Sequence, residues 1–403
     1  MRQKSTTTVS LRKNIVHVLL ALVLSAALLI GLTIIFKSPL THGNDALLIK
    51  LIELELAAVG GAGAAVALVV NYRKQSVLES ETLTRRFSDF TNQLADDRYP
   101  VKLAGVYSLY RLADEWDEQR QQIIDVLCGY IRQPWPDEND QQTTKVELEG
   151  RQTILREMVA RMKEDCVFTK GNYHYDFRGA TFKSDTSFAG AIFTGDAWFG
   201  EATFTDDARF AGTTFNGYAG FTEATFNGVA GFGSATFNGV AGFTEATFSG
   251  AGFGSATFNG VAEFTGATFN GYAGFREATF NGVAGFTEAT FNGVAGFREA
   301  TFNRYTGFRE ATFTDNAEFT GATFTRDAEF GEATFNGIAK FTGATFTWGA
   351  EFGEATFNGN AEFTGAIFNR YTEFGEVTFR KTCDFANAHN CPEGVSDPPS
   401  NNI

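Results

Sequence analysis

The spacing of apolar positions changes twice along the chain, and each change marks a different kind of element. Residues 15–36, IVHVLLALVLSAALLIGLTIIF, carry no charged side chain. At about 1.5 Å per residue they reach roughly 33 Å, enough to cross a bilayer core. A second, shorter apolar run from Leu56 to Tyr72, LAAVGGAGAAVALVVNY, follows Lys50, Glu53 and Glu55. The two runs predict transmembrane helices at 14–36 and 54–72 behind a tail at 1–13. The first run is too long for a cleaved signal peptide and lacks a small-residue cleavage site just after it. Beyond them Leu83, Phe87, Phe90 and Leu94 recur at helical spacing, and a broader apolar face from Val101 to Leu112 follows Pro100. Further helices are expected at 118–132 and 151–163, with Pro134, Pro136 and polar residues 137–144 as a loop. Residues 76–170 therefore read as an α-helical membrane-proximal segment.

From Phe177 to Phe385 the pattern becomes a strict repeat in which 39 Phe residues lie alternately five and six apart. The unit is ATFNG-V-AGFTE, two pentapeptides A-x-F-x-x with one residue inserted after the first. Across Phe248-Ser249-Gly250-Ala251-Gly252-Phe253 the inserted residue is missing, so the five-residue unit is the fundamental one. Each Phe and the small residue two before it are expected to point inward, the other three positions outward. A buried Phe contributes roughly 1.5–3 kcal/mol, so this series can hold a chain that has no other core.

This pattern resembles that of the pentapeptide-repeat family. The resemblance implies a mainly β fold, a right-handed quadrilateral parallel β-helix with one pentapeptide per side, here over residues 171–385. Four pentapeptides per coil give nearly ten coils, about 47 Å long at roughly 4.8 Å per step. The helical segment would cap the first coil, and the tail at 386–403, with Pro392, Pro398 and Pro399, is expected to be disordered. The stretch RFSDFTNQL…VKLAGVYSLYRLADEW…QQIIDVLCGYIRQP also resembles the membrane-proximal region of actinobacterial pentapeptide-repeat proteins, which carry two transmembrane helices ahead of it. The likeness covers most of residues 56–385 and implies architecture rather than chemistry.

Charge sharpens the picture. Residues 171–385 carry 12 basic and 24 acidic side chains, whereas residues 1–75 carry 8 basic and 3 acidic. Arg2, Lys4, Arg12 and Lys13 precede the first apolar run and Arg73, Lys74, Arg85 and Arg86 follow the second, which places both termini on the cytoplasmic side of an inner membrane. Gly60, Gly61 and Gly63 face Ala64, Ala65 and Ala67 at four-residue spacing, which suits close helix packing within a hairpin or between copies. An acidic body would repel phosphates, so direct nucleic-acid binding is not expected.

Two eleven-residue units make one coil, so outward residues 22 apart lie above one another. Glu201, Glu223, Glu245, Glu288, Glu310, Glu332, Glu354 and Glu376 then share one edge, with Gly266 in line after the missing residue. Glu329, Glu351 and Glu373 fall on the same face, and Arg276, Arg298 and Arg309 are scattered outward. This edge is either a solubilising face copied by duplication or an acidic recognition surface for a basic protein. The inserted residues Tyr218, Val240, Val261, Val283 and Tyr305 form a second column, either an apolar docking strip or side chains tucked over the coil corners.

No catalytic set is recognisable. The series from Phe177 to Phe385 contains no His and a single Cys, its glycines follow the repeat period, and its carboxylates sit on a convex surface. Cys383, His389 and Cys391 come nearest to a metal cluster but lack a fourth ligand at a recognised spacing. No enzyme activity, cofactor or metal is expected. Two readings remain: a membrane-anchored scaffold or protein-interaction module, and a DNA mimic that binds a topoisomerase such as gyrase.

Overall fold

The computed structural model describes residues 45–137 and 139–390, with Ala27 and Gly31 besides. The chain divides into two compact units, residues 1–86 and 87–403. The expected span at 14–36 lies outside the described residues apart from Ala27 and Gly31, both helical. The expected span at 54–72 is continuous helix within α1 (Asp45–Leu94), although several of its side chains lie outside the described residues. Among the described residues no helix is long and apolar enough to cross a membrane. The separate helix expected from the Leu83 periodicity is the end of α1, because the intervening QSVLESETLTRR contains no Gly or Pro to break it.

In the second unit, helices α2 (Tyr99–Glu115), α3 (Arg120–Ile131) and α4 (Gln141–Arg161) bury Val106, Leu109, Tyr110, Ile123, Ile124, Leu127, Ile154 and Met158 against one another. Pro100 sits in the first turn of α2, where its missing N–H costs nothing. Helix α4 begins about one loop earlier than the sequence suggests. Asp140 caps it, accepting from the Thr143 N–H at 3.0 Å, so the polar stretch QQTTKVELEG is helix rather than loop.

Residues 175–384 form short parallel strands, mostly two residues long, stacked as four ladders with one pentapeptide per ladder in each coil. Face 1 runs through Tyr175, Ala197, Ala219, Ala241 and onward to Thr372, a ladder of ten strands. Face 2 runs from Thr181–Phe182 to Thr378–Phe379, and face 3 from Thr186 to Cys383. Face 4, from Ile192–Phe193 to Ile367–Phe368, has nine strands. The register advances 22 residues per coil, and 21 where the inserted residue is missing: Phe226 pairs with Phe248, which pairs with Phe269.

The Phe and Ala side chains fill the interior as expected. Phe199 stacks on Phe221 at 4.8 Å between ring centroids and 1° between planes, and Phe221 on Phe243 at 4.9 Å. Rings from neighbouring faces meet edge-on, as Phe210 meets Phe221 at 5.5 Å and 85°, a geometry the ring quadrupoles favour. Along face 4 an amide ladder reinforces the backbone, each Asn Nδ2 donating at 2.8 Å to the Asn Oδ1 one coil earlier, from Asn303 through Asn281, Asn259 and Asn238 to Asn216.

The helical segment closes the first coil. The Ile192 N–H donates to the Met162 carbonyl at 2.8 Å, and the Trp135 indole N–H to the Thr181 carbonyl at 2.9 Å, so edge groups without a preceding coil still find partners. Tyr175 fills the slot that Ala occupies in the next coils. At the other end Phe374, Phe379 and Phe385 are only half-buried. Of the tail expected to be disordered, Ala386–Asn390 extend the last coil and His389 bridges to Ile367, while 391–403 lie outside the described residues.

Candidate interaction surface

The corners of the solenoid are of two kinds. After faces 2 and 4 the chain turns through the inserted residue. After faces 1 and 3 it turns through one residue in the left-handed region. The corner after face 1 holds Gly179, Glu201, Glu223, Glu245, Gly266, Glu288, Glu310, Glu332, Glu354 and Glu376. The eight expected edge residues therefore do lie in one column, all exposed, with φ of 58–60°. What spacing alone did not supply is the conformation. An L-residue pays roughly 1 kcal/mol to enter this region, and glycine does not. The clue was present in Gly179 and Gly266, which share the column with the glutamates.

Beside this corner, on the flat of face 1, Glu329, Glu351 and Glu373 stand in direct register. The Tyr371 hydroxyl donates to Glu373 at 2.6 Å, and the Tyr305 hydroxyl donates to Glu329. Burial raises the Glu351 carboxyl above its ordinary range, and its neighbours Glu329, Glu373 and Asp327 push it further.

Arginines offset little of the edge charge. Arg309 reaches Glu310 at 3.2 Å and Glu332 at 2.5 Å. Arg276 and Arg298 instead pair with Glu277 and Glu299 at the other left-handed corner, after face 3. At the corner entering face 1, Arg326 and Arg370 sandwich the Trp348 indole, with guanidinium carbons 4.8 and 4.3 Å from the ring centroid.

In the column of inserted residues the two tyrosines lie down over the coil, while Val283 and Tyr305 keep exposed surface. Tyr218 lies down over face 1, close enough that a side chain at Gly220 or Gly242 would strike its ring. The Tyr305 ring covers Gly307 in the same way.

The helical segment holds a buried ionic cluster that periodicity could not reveal. Glu147 accepts from Lys102 Nζ at 2.9 Å, Arg151 Nε at 2.7 Å and the Tyr130 hydroxyl at 2.7 Å, joining α2, α3 and α4. Burial alone would raise the Glu147 carboxyl, but the three donors outweigh it and hold it below its ordinary range. Every member is partnered, which is the arrangement of a structural clamp.

Cys383 takes the small-residue slot below Ala361 and is buried there as a small hydrophobe, while Cys391 lies outside the described residues. Among the described residues no three potential metal ligands gather.

A family model described as pentapeptide repeats (9 copies) matches residues 173–214 and the overlapping windows 232–279, 243–290, 275–323, 286–334, 319–367 and 341–389. Comparison with curated proteins and with solved structures finds no match to the chain.

Proposed function

The chain is a pentapeptide-repeat protein, and from that premise we propose that it is a non-enzymatic scaffold, anchored in the inner membrane, that presents its acidic solenoid edge to a basic protein partner in the cytoplasm. The observation that carries this reading is the placement of eight glutamates at left-handed corner positions. Glycine fits these positions without strain, as Gly179 and Gly266 do. Glutamate there carries a conformational cost of roughly 1 kcal/mol per residue. It also adds like-charge repulsion of about 1 kcal/mol per neighbouring pair in water-like surroundings. Charge retained at such a position is what a recognition edge requires and what packing does not.

The anchor rests on the apolar runs at 15–36 and 56–72, and its orientation on the basic residues outside them. The test is affinity capture of the full-length protein from its native membrane beside a variant with Glu288, Glu310, Glu332 and Glu354 changed to Gln. A basic partner recovered by the wild type and lost by the variant supports the reading. Identical recoveries sink it.

The excess of 12 acidic side chains in the repeat favours a second reading, mimicry of duplex DNA toward a topoisomerase such as gyrase. Inhibition of supercoiling by micromolar protein would support that reading, and its absence would remove it.

A further inference from the structure

The one irregularity of the repeat falls beside a chemically fragile bond. Nine Asn–Gly dipeptides recur in the solenoid, each with its Asn in the outward slot that follows an interior Phe of face 2 or face 4. Asparagine is a thermolabile side chain, and a following glycine has no Cβ to keep its main-chain nitrogen from the side-chain amide. Exposure does not separate the nine, since all but the half-buried Asn358 are exposed. The amide ladder does. Four belong to the run on face 4 from Asn216 to Asn281. On face 2 Asn292 Nδ2 donates to Asn270 Oδ1 at 3.0 Å, and Asn358 Nδ2 to Asn336 Oδ1 at 2.7 Å. Asn227 is the ninth, and among the described residues its side chain makes no hydrogen bond. The slot one coil on holds Ser249, and one coil back the Thr205 hydroxyl is turned to the Phe182 carbonyl and Asp206.

The same dipeptide lies at a break in the strand register. Phe226 pairs with Phe248 and Val229 with Gly250, so Asn227 and Gly228 together oppose Ser249 alone. Two residues against one make a β-bulge, which leaves the extra residue out of the ladder. Both features, the absent amide partner and the bulge, come from one departure from the eleven-residue unit, the segment Phe248–Phe253.

We propose that Asn227 is a site of spontaneous deamidation, the residue at which this solenoid gains charge as it ages. The Gly228 main-chain nitrogen attacks Asn227 Cγ, the bond from Cγ to Nδ2 breaks, and the amide nitrogen leaves as ammonia with the proton from Gly228. A five-membered imide remains. Water then adds to either of its carbonyl carbons and opens it, giving aspartate or isoaspartate without any change of oxidation state. In isoaspartate the main chain runs through the side-chain carbons and is one atom longer, which a bulge with an unpaired residue accommodates. Either product places a new carboxylate one coil from Asp206 and Asp207, where Asp207 Oδ1 holds the Val229 N–H at 3.0 Å. The asparagines of the ladder must first break their amide hydrogen bonds, and Asn227 has none to break.

The test is peptide mapping by mass spectrometry of the full-length protein, held in detergent at mildly alkaline pH and sampled over time. Conversion of amide to acid is read from the mass, and isoaspartate from enzymatic methylation. Asn227 is expected to convert about tenfold faster than Asn238, Asn259 and Asn281 in the same sample. Ser249→Asn restores the amide that neighbouring coils carry in this slot, and should slow Asn227 to the rate of the ladder. Conversion at Asn227 no faster than at the ladder asparagines, or a rate indifferent to Ser249→Asn, would each overturn the proposal.

Discussion

Glu329 stands in register with Glu351 on the next coil of face 1, and Glu351 with Glu373 on the coil after that. The corresponding slots of face 3 hold Glu318, Lys340 and Glu362, where Lys340 reaches Glu318 at 3.5 Å. The same backbone geometry therefore carries alternating charge on one face and uniform charge on the other. The coils accept either because stacking of the interior rings and the backbone ladders, not the outward residues, sets the register.

The uniform column has a consequence for pH. Glu351 is raised above its ordinary value by burial and by Glu329, Glu373 and Asp327, so the folded state binds its proton more tightly than the unfolded chain does. The penalty is therefore present at neutral pH and relieved as pH falls through the raised value. Glu351→Gln should raise the melting temperature of the full-length protein at pH 7. The advantage should fade once the medium is acidic enough to protonate the carboxyl in both states. A thermal melt at the two pH values checks it, and a variant less stable at pH 7 would contradict it.

Glu147 should behave in the opposite sense. Its carboxyl is held below the ordinary range despite burial, so its contribution is present above the unfolded value and is lost as pH falls through the folded one. Glu147→Gln removes one charge from a buried cluster and leaves Lys102 and Arg151 without their counter-ion. A loss of roughly 3 kcal/mol is expected at pH 7, shrinking below the ordinary carboxylate range. Urea denaturation followed by helix signal reads both.

The solenoid was legible because its core depends on a single periodic signal. With one Phe and one small residue inward per pentapeptide, the Phe series alone places Glu201 through Glu376 on one edge and locates the missing residue near Gly250. The left-handed corners were harder to see, since only Gly179 and Gly266 hint that a column of glutamates occupies glycine's region of backbone space. The start of α4 was missed because Asp140 and Thr143 set it through a cap, while the stretch that follows has no apolar stripe. The Glu147 cluster was invisible for a different reason. Lys102, Tyr130, Glu147 and Arg151 are scattered in sequence and meet only after three helices have packed.

Two glycines separate what the fold needs from what it merely permits. Gly105 lies in α2 against the end of α1, where an added Cβ would stand 2.6 Å from the Leu94 nitrogen and 2.9 Å from the Gln93 carbonyl carbon. In an open helix Gly→Ala gains about 1 kcal/mol of propensity, but here the new methyl meets backbone that cannot step aside. Gly105→Ala should therefore destabilise the protein, by about 1–3 kcal/mol as overpacking does. Gly252 lies in a strand with nothing within 4 Å of the added atom and no positive φ. Gly252→Ala should be neutral or stabilising by about 0.5–1 kcal/mol, since it restricts only the unfolded chain. Parallel urea titrations of the two variants measure the difference, and a destabilised Gly252→Ala would contradict it.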